Sequence, residues 1–86
     1  MSTEEQILVR VELPAASRTF EVRIPVHAKA GEVAETLSGM LETLSDGLYR
    51  AGKEQVLIDK SSGRVLAQNA QIAALQIGNG ARLILI

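Results

Sequence analysis

Two alternating segments followed by one helical stripe constrain this fold more than any other feature of the sequence. Residues 7–13 and residues 20–24 alternate apolar with polar side chains, which is the period-2 pattern of half-buried strands. Because only the short segment 14–19, with a turn at 14–17, separates them, they predict an antiparallel hairpin. The period then changes, and segment 31–44 predicts one amphipathic helix whose apolar stripe consists of Val33, Leu37, Met40, Leu41 and Leu44.

The second half of the chain predicts short strands and turns. We expect a loop around residues 48–53, a third strand at 55–59, a turn at 60–63, a short fourth strand at 64–66, one helical turn within 69–75, a tight turn at 78–80 and a last strand at 82–86. One helix packed across one face of a mixed sheet of four to five strands is the economical solution for this ββαββ…β order. The sequence therefore predicts an α+β fold of the β-grasp type. We expect a single domain over residues 1–86, with residues 1–6 disordered.

Composition excludes several classes of function. The 86 residues carry a net charge of −1 with both signs interspersed, so no long-range field attracts nucleic acid or an anionic bilayer. Aromatic residues make up only 2%, too few for stacking on single-stranded nucleic acid, and no cysteine is present for a disulfide or thiolate metal site. No apolar run approaches the roughly 18 residues that span a membrane, and the polar N-terminus is unlike a signal peptide. We therefore expect a cytoplasmic protein that binds no nucleic acid and does not insert into a membrane.

The polar residues do not combine into a catalytic or ligand-binding site. The single histidine, His27, lies between strand and helix, and no nucleophilic serine motif accompanies it. Glu32, Glu35 and Glu42 belong to the polar face of the predicted helix, and segment 78–80 lacks the frame of a phosphate-binding loop. One histidine without cysteine leaves only scattered carboxylates to hold a metal. We predict no catalytic residues, no metal ligands and no cofactor, so the chain is expected to act by being bound and not as an enzyme.

Two stretches carry a resemblance to a known family. Residues 18–25, read with the helix of Val33, Leu37 and Leu41, resemble the start of bacterial ubiquitin-like proteins, and residues 72–83 resemble their closing pattern of an apolar turn, a glycine turn and an apolar strand. Within that superfamily the chain is most similar to the YukD/EsaB group and to the N-terminal cytosolic domain of EccD. The resemblance implies a ubiquitin-like fold and a cytosolic role in a type VII (ESX/WXG100) secretion system, with secretion-system proteins as partners.

The C-terminal strand departs from conjugated ubiquitin-like proteins. Modifiers and sulfur carriers of the superfamily need a flexible tail ending in Gly-Gly, whereas this sequence closes on the apolar segment 83–86. Adenylation and conjugation are therefore not expected. Two alternatives stay open: a modifier or sulfur carrier whose Gly-Gly tail lies outside this sequence, and a small accessory subunit of an enzyme complex. If the chain is EccD-like, it is the cytosolic domain of a larger membrane protein.

Alternation divides the strand residues between a core face and an outer face of the predicted sheet. We expect the following side chains to point towards the helix: Ile7, Val9, Val11, Leu13, Phe20, Val22, Ile24, Val56, Ile58, Leu83 and Leu85. We expect the outer face to carry Leu8, Arg10, Glu12, Glu21, Arg23, Leu57, Ile84 and Ile86. Because contiguous exposed aliphatic side chains mark contact surfaces, Leu8, Leu57, Ile84 and Ile86 are the predicted protein-interaction face. A homodimer through this face is left open.

Overall fold

The computed structural model of the protein describes residues 5–46 and 55–86. Its main elements are β1 (Gln6–Leu13), β2 (Arg18–Pro25), α1 (Ala30–Leu44), β3 (Leu57–Asp59), β4 (Arg64–Val65) and β5 (Ala81–Leu85). Short 3₁₀ turns cover Pro14–Ala16 and Ile72–Leu75. The loop expected around residues 48–53 lies outside the described residues.

The strands form one mixed sheet in the order β2-β1-β5-β3-β4. β1 and β2 pair antiparallel along their whole length, with Gln6 opposite Pro25 and Leu13 opposite Arg18, which confirms the hairpin. β5 lies on the other side of β1 and runs parallel to it, then pairs antiparallel with β3. Because parallel strands need a long crossover, α1 and the chain after it connect the two halves of the sheet. The predicted α+β fold of the β-grasp type is confirmed.

One aliphatic core fills the space between α1 and the inner face of the sheet. The side chains that were predicted inward on β1, β2 and β5 are buried there: Ile7, Val9, Val11, Leu13, Val22, Ile24, Leu83 and Leu85. Phe20 packs against this core as a partly buried side chain. Helix α1 contributes Val33, Leu37 and Leu41, as predicted, together with Ala30, Ala34 and Ser38.

Two helix residues predicted for the core are exposed instead. Met40 is 42% exposed and Leu44 is 50% exposed. The buried arc of α1 is rotated towards Ala34 and Ser38, because small side chains on that arc let the helix lie close to the sheet. Met40 falls beyond the margin of this arc, and Leu44 is the last residue of the helix. The prediction followed only the large apolar residues and was wrong at both positions.

The orientation predicted for β3 is also wrong. Leu57 is only 2% exposed and packs in the core, whereas Val56 and Ile58 on either side of it are partly exposed. Since successive side chains of a strand point to opposite faces, one buried position fixes the others. Segment 56–58 is apolar throughout, so its sequence contains no alternation that could orient the strand.

The start of the sheet lies closer to the N-terminus than predicted. Gln6 is the first residue of β1, and the carbonyl of Glu5 accepts a hydrogen bond from the N–H of Val26 at 3.0 Å. The disorder expected for residues 1–6 therefore does not extend to Glu5 and Gln6, because the hairpin pairing holds both. Residues 1–4 lie outside the described residues.

The start of α1 is capped by the backbone of a distant segment. The N-cap residue is Lys29 and not Ser, Thr, Asp or Asn, but the N–H of Ala30 donates to the carbonyl of Ala70 at 2.8 Å and that of Gly31 to the carbonyl of Gln68 at 3.0 Å. These bonds satisfy N–H groups that a helix end otherwise leaves without a partner. They also fix the position of the segment that leads into β5.

Candidate protein-interaction face

Five aliphatic side chains meet on the outer face of the sheet, at the end formed by β5, β3 and β4. Ile84 lies between buried Leu83 and Leu85, so its side chain points to the outer face. The same alternation places the side chains on either side of Leu57 outwards. We call the resulting set the apolar corner, and it consists of Val56, Ile58, Val65, Ile84 and Ile86.

The register of the strands makes the apolar corner contiguous. Ile58 is directly opposite Ile84 on one side and Val65 on the other, so three side chains form one row across three strands. Val56 and Ile86 form the next row, joined by two backbone hydrogen bonds of 3.0 and 3.1 Å. Side chains directly opposite each other have Cβ atoms about 4.5–5.5 Å apart. Val65 and Ile86 remain 60% and 54% exposed, so the corner is open to a partner.

Two of the four predicted face residues do not belong to this cluster. Leu57 is buried in the core, so it contacts no partner through the outer face. Leu8 is on the outer face and 38% exposed, but it pairs with Gly80 while Ile84 pairs with Glu12. That offset of four strand residues corresponds to about 13 Å. Of the predicted set, the structure brings only Ile84 and Ile86 together.

A charged band separates Leu8 from the apolar corner. Arg10 and Arg82 are direct neighbours in the parallel register of β1 and β5. The Arg10 guanidinium lies 3.5 Å from the Glu21 carboxylate, and the Lys60 ammonium lies 2.6 Å from the Glu12 carboxylate. Together with Thr19, four of these charged residues line an open concavity of about 310 Å³. Arg82 forms no ion pair with any residue that the structure describes.

Sequence reasoning missed Val56, Ile58 and Val65. All three depend on the orientation of β3, and the buried Leu57 reverses the orientation that was predicted. A signal was available in the turn predicted at 60–63, because a turn that directly joins two short strands indicates that they pair as a hairpin. Reading β4 as the partner of β3 fixes Ile58 opposite Val65, on the same face.

The remaining chemistry of the described residues is sparse. His27 is exposed, with its Nε2 3.9 Å from a Glu5 carboxylate oxygen. Across residues 5–46 and 55–86, no three His, Asp or Glu side chains lie close enough together to hold a metal ion. Within the same ranges no helix is long and apolar enough to cross a membrane.

The fold is similar to that of several ubiquitin-like proteins of known structure. It is similar to the EccD5 ubiquitin-like domain from Mycobacterium xenopi, at 19% identity and a TM-score of 0.77, over 95% of this chain and 93% of that one. It is similar to the ubiquitin of Caldiarchaeum subterraneum, at 18% identity and a TM-score of 0.70, over 95% and 92% of the two chains. A chain of the toluene 4-monooxygenase HD complex with 4-bromobenzoate aligns at 12% identity and a TM-score of 0.76, over 94% and 96%.

The family follows from the sequence match. The model of the family described as WXG100 protein secretion system (Wss), protein YukD, matches residues 8–85, which is nearly the whole chain. The chain therefore belongs to the YukD family of ubiquitin-like proteins, as its resemblance to YukD and EccD predicted. A search among curated proteins found no match.

Proposed function

We propose that this chain is a non-catalytic, cytoplasmic protein-interaction module of a WXG100 (type VII, ESX) secretion system. Its YukD family membership and its likeness to an EccD5 ubiquitin-like domain support the secretion-system part of the proposal. The described residues contain no cluster of potential metal ligands, and their histidine is an exposed side chain beside a glutamate. Binding is the activity that this surface chemistry supports best.

The apolar corner carries the proposal. Five aliphatic side chains occupy adjacent positions on three strands, and none of them is needed to fill the core between sheet and helix. Single exposed aliphatic residues are common, but a contiguous group beside polar residues is typical of a contact surface. Burying this group against a partner removes apolar area from water at about 25 cal/mol per Å².

The charged band beside the corner supports a proposal for the chemistry of the partner. Arg10 and Arg82 lie opposite each other, and like charges in directly opposite positions destabilise a sheet. Glu21 offsets the charge of Arg10, while Arg82 has no carboxylate partner among the described residues. A partner that presents apolar side chains next to an Asp or Glu matches the corner and Arg82 together. We infer that the partner is a secretion-system protein with such a surface.

The experiment measures the affinity of the chain for each purified component of the WXG100 secretion apparatus that the same genome encodes. Ile84→Glu puts a carboxylate into the apolar corner, at the β5 end of its central row, where a bound partner would desolvate it. We expect an affinity about a hundredfold lower, equivalent to about 2.7 kcal/mol. Leu8→Glu is the matched control, because it introduces the same charge on the same face beyond the charged band. Its affinity is expected to stay within about twofold of the unmodified chain.

Thermal unfolding of both variants verifies that they fold. Neither side chain belongs to the buried core, so each substitution is expected to change stability by no more than about 1 kcal/mol. Unchanged affinity of a folded Ile84→Glu variant would contradict the proposal. An equal loss in Ile84→Glu and Leu8→Glu would show that the whole face binds without preference for the corner.

One further candidate is an accessory subunit that docks on an enzyme complex. The likeness to a chain of the toluene 4-monooxygenase complex favours it. This candidate predicts that the chain changes the turnover of a partner enzyme and binds no WXG100 component, so the same set of affinity measurements separates the two.

A further inference from the structure

Three cationic residues lie in one row across the outer face of the sheet. Arg10 on β1 is the direct neighbour of Arg82 on β5. Lys60, the first residue after β3, donates its backbone N–H to the Arg82 carbonyl at 2.9 Å, so it lies on the other side of Arg82. Because neighbouring strands are about 4.8 Å apart, the strand pairing holds the Cα atoms of all three residues within about 10 Å.

Nearby carboxylates offset only part of this positive charge. Glu12 lies 2.6 Å from the Lys60 ammonium, and Glu21 lies 3.5 Å from the Arg10 guanidinium. Arg82 has no carboxylate partner among the described residues. Both side chains of the Arg10–Glu21 pair are 57% exposed, and exposed ion pairs of this kind are weak. Arg10 can therefore turn from Glu21 towards an anion that lies beside Arg82.

An open concavity lies over this row of cations. It has a volume of about 310 Å³ and is lined by Arg10, Glu12, Thr19, Lys60 and Arg82. Thr19 is opposite Glu12 on β2, so its hydroxyl adds a neutral hydrogen-bond donor beside the cations. The volume is at the lower end of the range for ligand pockets. Three cations and one carboxylate give the lining a formal charge of +2, which matches a small dianion.

A phosphate monoester fits this lining better than a carboxylate does. It carries a charge of about −1.5 to −2 at neutral pH and three acceptor oxygens, whereas a carboxylate carries a single charge and two oxygens. Each arginine presents a planar fork of donors that can bind two phosphate oxygens at once. A dianion between Arg10 and Arg82 also offsets the repulsion between two like charges on neighbouring strands.

We propose that the concavity between Arg10 and Arg82 is a binding site for a phosphate monoester, held by the two guanidinium groups and the Thr19 hydroxyl. The ester belongs either to a free phosphorylated small molecule or to a phosphorylated Ser or Thr side chain of a protein. The inference rests on the concavity alone and does not depend on the apolar corner. A partner carboxylate at Arg82 and a bound phosphate would exclude each other.

The test is an NMR titration of the isotope-labelled chain with two probes, inorganic phosphate and N-acetyl-O-phosphoserine amide. Sodium chloride keeps the ionic strength constant at about 0.15 M, so that general charge screening does not change during the titration. The side-chain Nε–Hε signals of Arg10 and Arg82 are expected to shift in a saturable manner, with a Kd of about 1 mM or lower. Acetate, a monoanion, is expected to bind at least about tenfold more weakly.

Three charge substitutions locate the site on the molecule. Arg10→Gln and Arg82→Gln each remove one guanidinium and are expected to weaken phosphate binding about tenfold or more. Arg64→Gln is the matched control, because it removes the same charge from an exposed residue of β4 that does not line the concavity. Its Kd is expected to stay within about twofold of the unmodified chain. Thermal unfolding verifies that all three variants fold.

The two probes distinguish the sources of the phosphate group. Tighter binding of the phosphoserine amide than of inorganic phosphate indicates a phosphorylated side chain, because the amide carries the backbone groups of such a residue. Equal or weaker binding of the amide indicates a free phosphorylated small molecule.

Three results would overturn the proposal. One is the absence of any shift in the two arginine signals with either probe up to about 10 mM. Another is an equal loss of affinity in Arg64→Gln and Arg82→Gln, because the anion would then respond only to net charge. The third is acetate binding as tight as phosphate binding. None of these measurements changes a residue of the apolar corner, so each result leaves the proposed function of that corner untouched.

Discussion

Replacing Leu57 and Ile58 one at a time by alanine tests which of the two side chains β3 directs into the core. Leu57 is 2% exposed and packs in the core, while Ile58 is partly exposed on the outer face. Leu57→Ala removes roughly three buried carbons at about 0.8 kcal/mol each, and the cavity left behind raises the loss to about 2–5 kcal/mol. Ile58→Ala removes a half-exposed side chain, so we expect a loss of about 1 kcal/mol. A domain of this size has about 4–13 kcal/mol of stability in total.

Urea unfolding followed by circular dichroism provides the two free energies by linear extrapolation. The expected result is that Leu57→Ala unfolds at clearly lower urea concentration than Ile58→Ala, with unchanged slopes. A larger loss for Ile58→Ala would refute the reasoning. By the period-2 rule it would turn every side chain of β3 to the other face and remove Ile58 from the apolar corner.

Four further substitutions test local features of the fold. Gly39 lies in the exposed middle of α1 with open space around it, so Gly39→Ala should raise the free energy of unfolding by about 0.5–1 kcal/mol. Gly31→Ala should bring no such gain in urea unfolding, because a Cβ there would lie 3.1 Å from the segment that caps the helix. Asn79→Ala removes the side-chain oxygen that accepts the Leu8 N–H at 2.8 Å, so it should cost about 0.5–1.5 kcal/mol and speed exchange of the Leu8 amide. Lys60→Ala removes the ion pair with a β1 carboxylate and should cost about 0.2–1 kcal/mol, a loss that shrinks as salt is added.

The hairpin and the helix were predictable because their patterns are long and periodic. β1 and β2 contain eight residues each, and their inner and outer side chains differ in polarity at nearly every step. A strand of three residues such as β3 offers no comparable pattern, since its neighbours Val56, Leu57 and Ile58 are all aliphatic. Only pairing with β5 and β4 settles which of them is buried.

The helix ends and margins depend on contacts that sequence periodicity does not contain. Small residues such as Ala34 and Ser38 form part of the buried arc, and a search for large apolar residues assigned Met40 to the core in their place. The N-cap residue Lys29 is not a capping residue type, yet the carbonyls of Gln68 and Ala70 bond the first amides of α1 and the Glu32 side chain bonds the Lys29 N–H. These carbonyls come from a segment about forty residues away, which only the folded chain brings to the helix.

Alternation in the sequence predicted which face of the sheet carries the candidate site. It did not predict which residues form it, apart from Ile84 and Ile86. The outer face and the positions of Ile84 and Ile86 followed from alternation in the last strand. The offset of Leu8 followed only from the parallel register of β1 and β5, which places charged residues between it and the corner. Parallel register is set by the crossover and the core, and no local sequence signal fixes it.

Methyl NMR on the isoleucine side chains tests the central claim most directly. Of the seven isoleucines, Ile58, Ile84 and Ile86 belong to the apolar corner. The other four are at most 9% exposed and serve as internal controls: Ile7, Ile24, Ile72 and Ile77. When the chain is titrated with the WXG100 secretion component that binds it, we expect the three corner methyl signals to shift or broaden while the four buried signals stay in place. Saturating binding that leaves all three corner methyl signals unchanged would contradict the assignment of this surface as the interaction face.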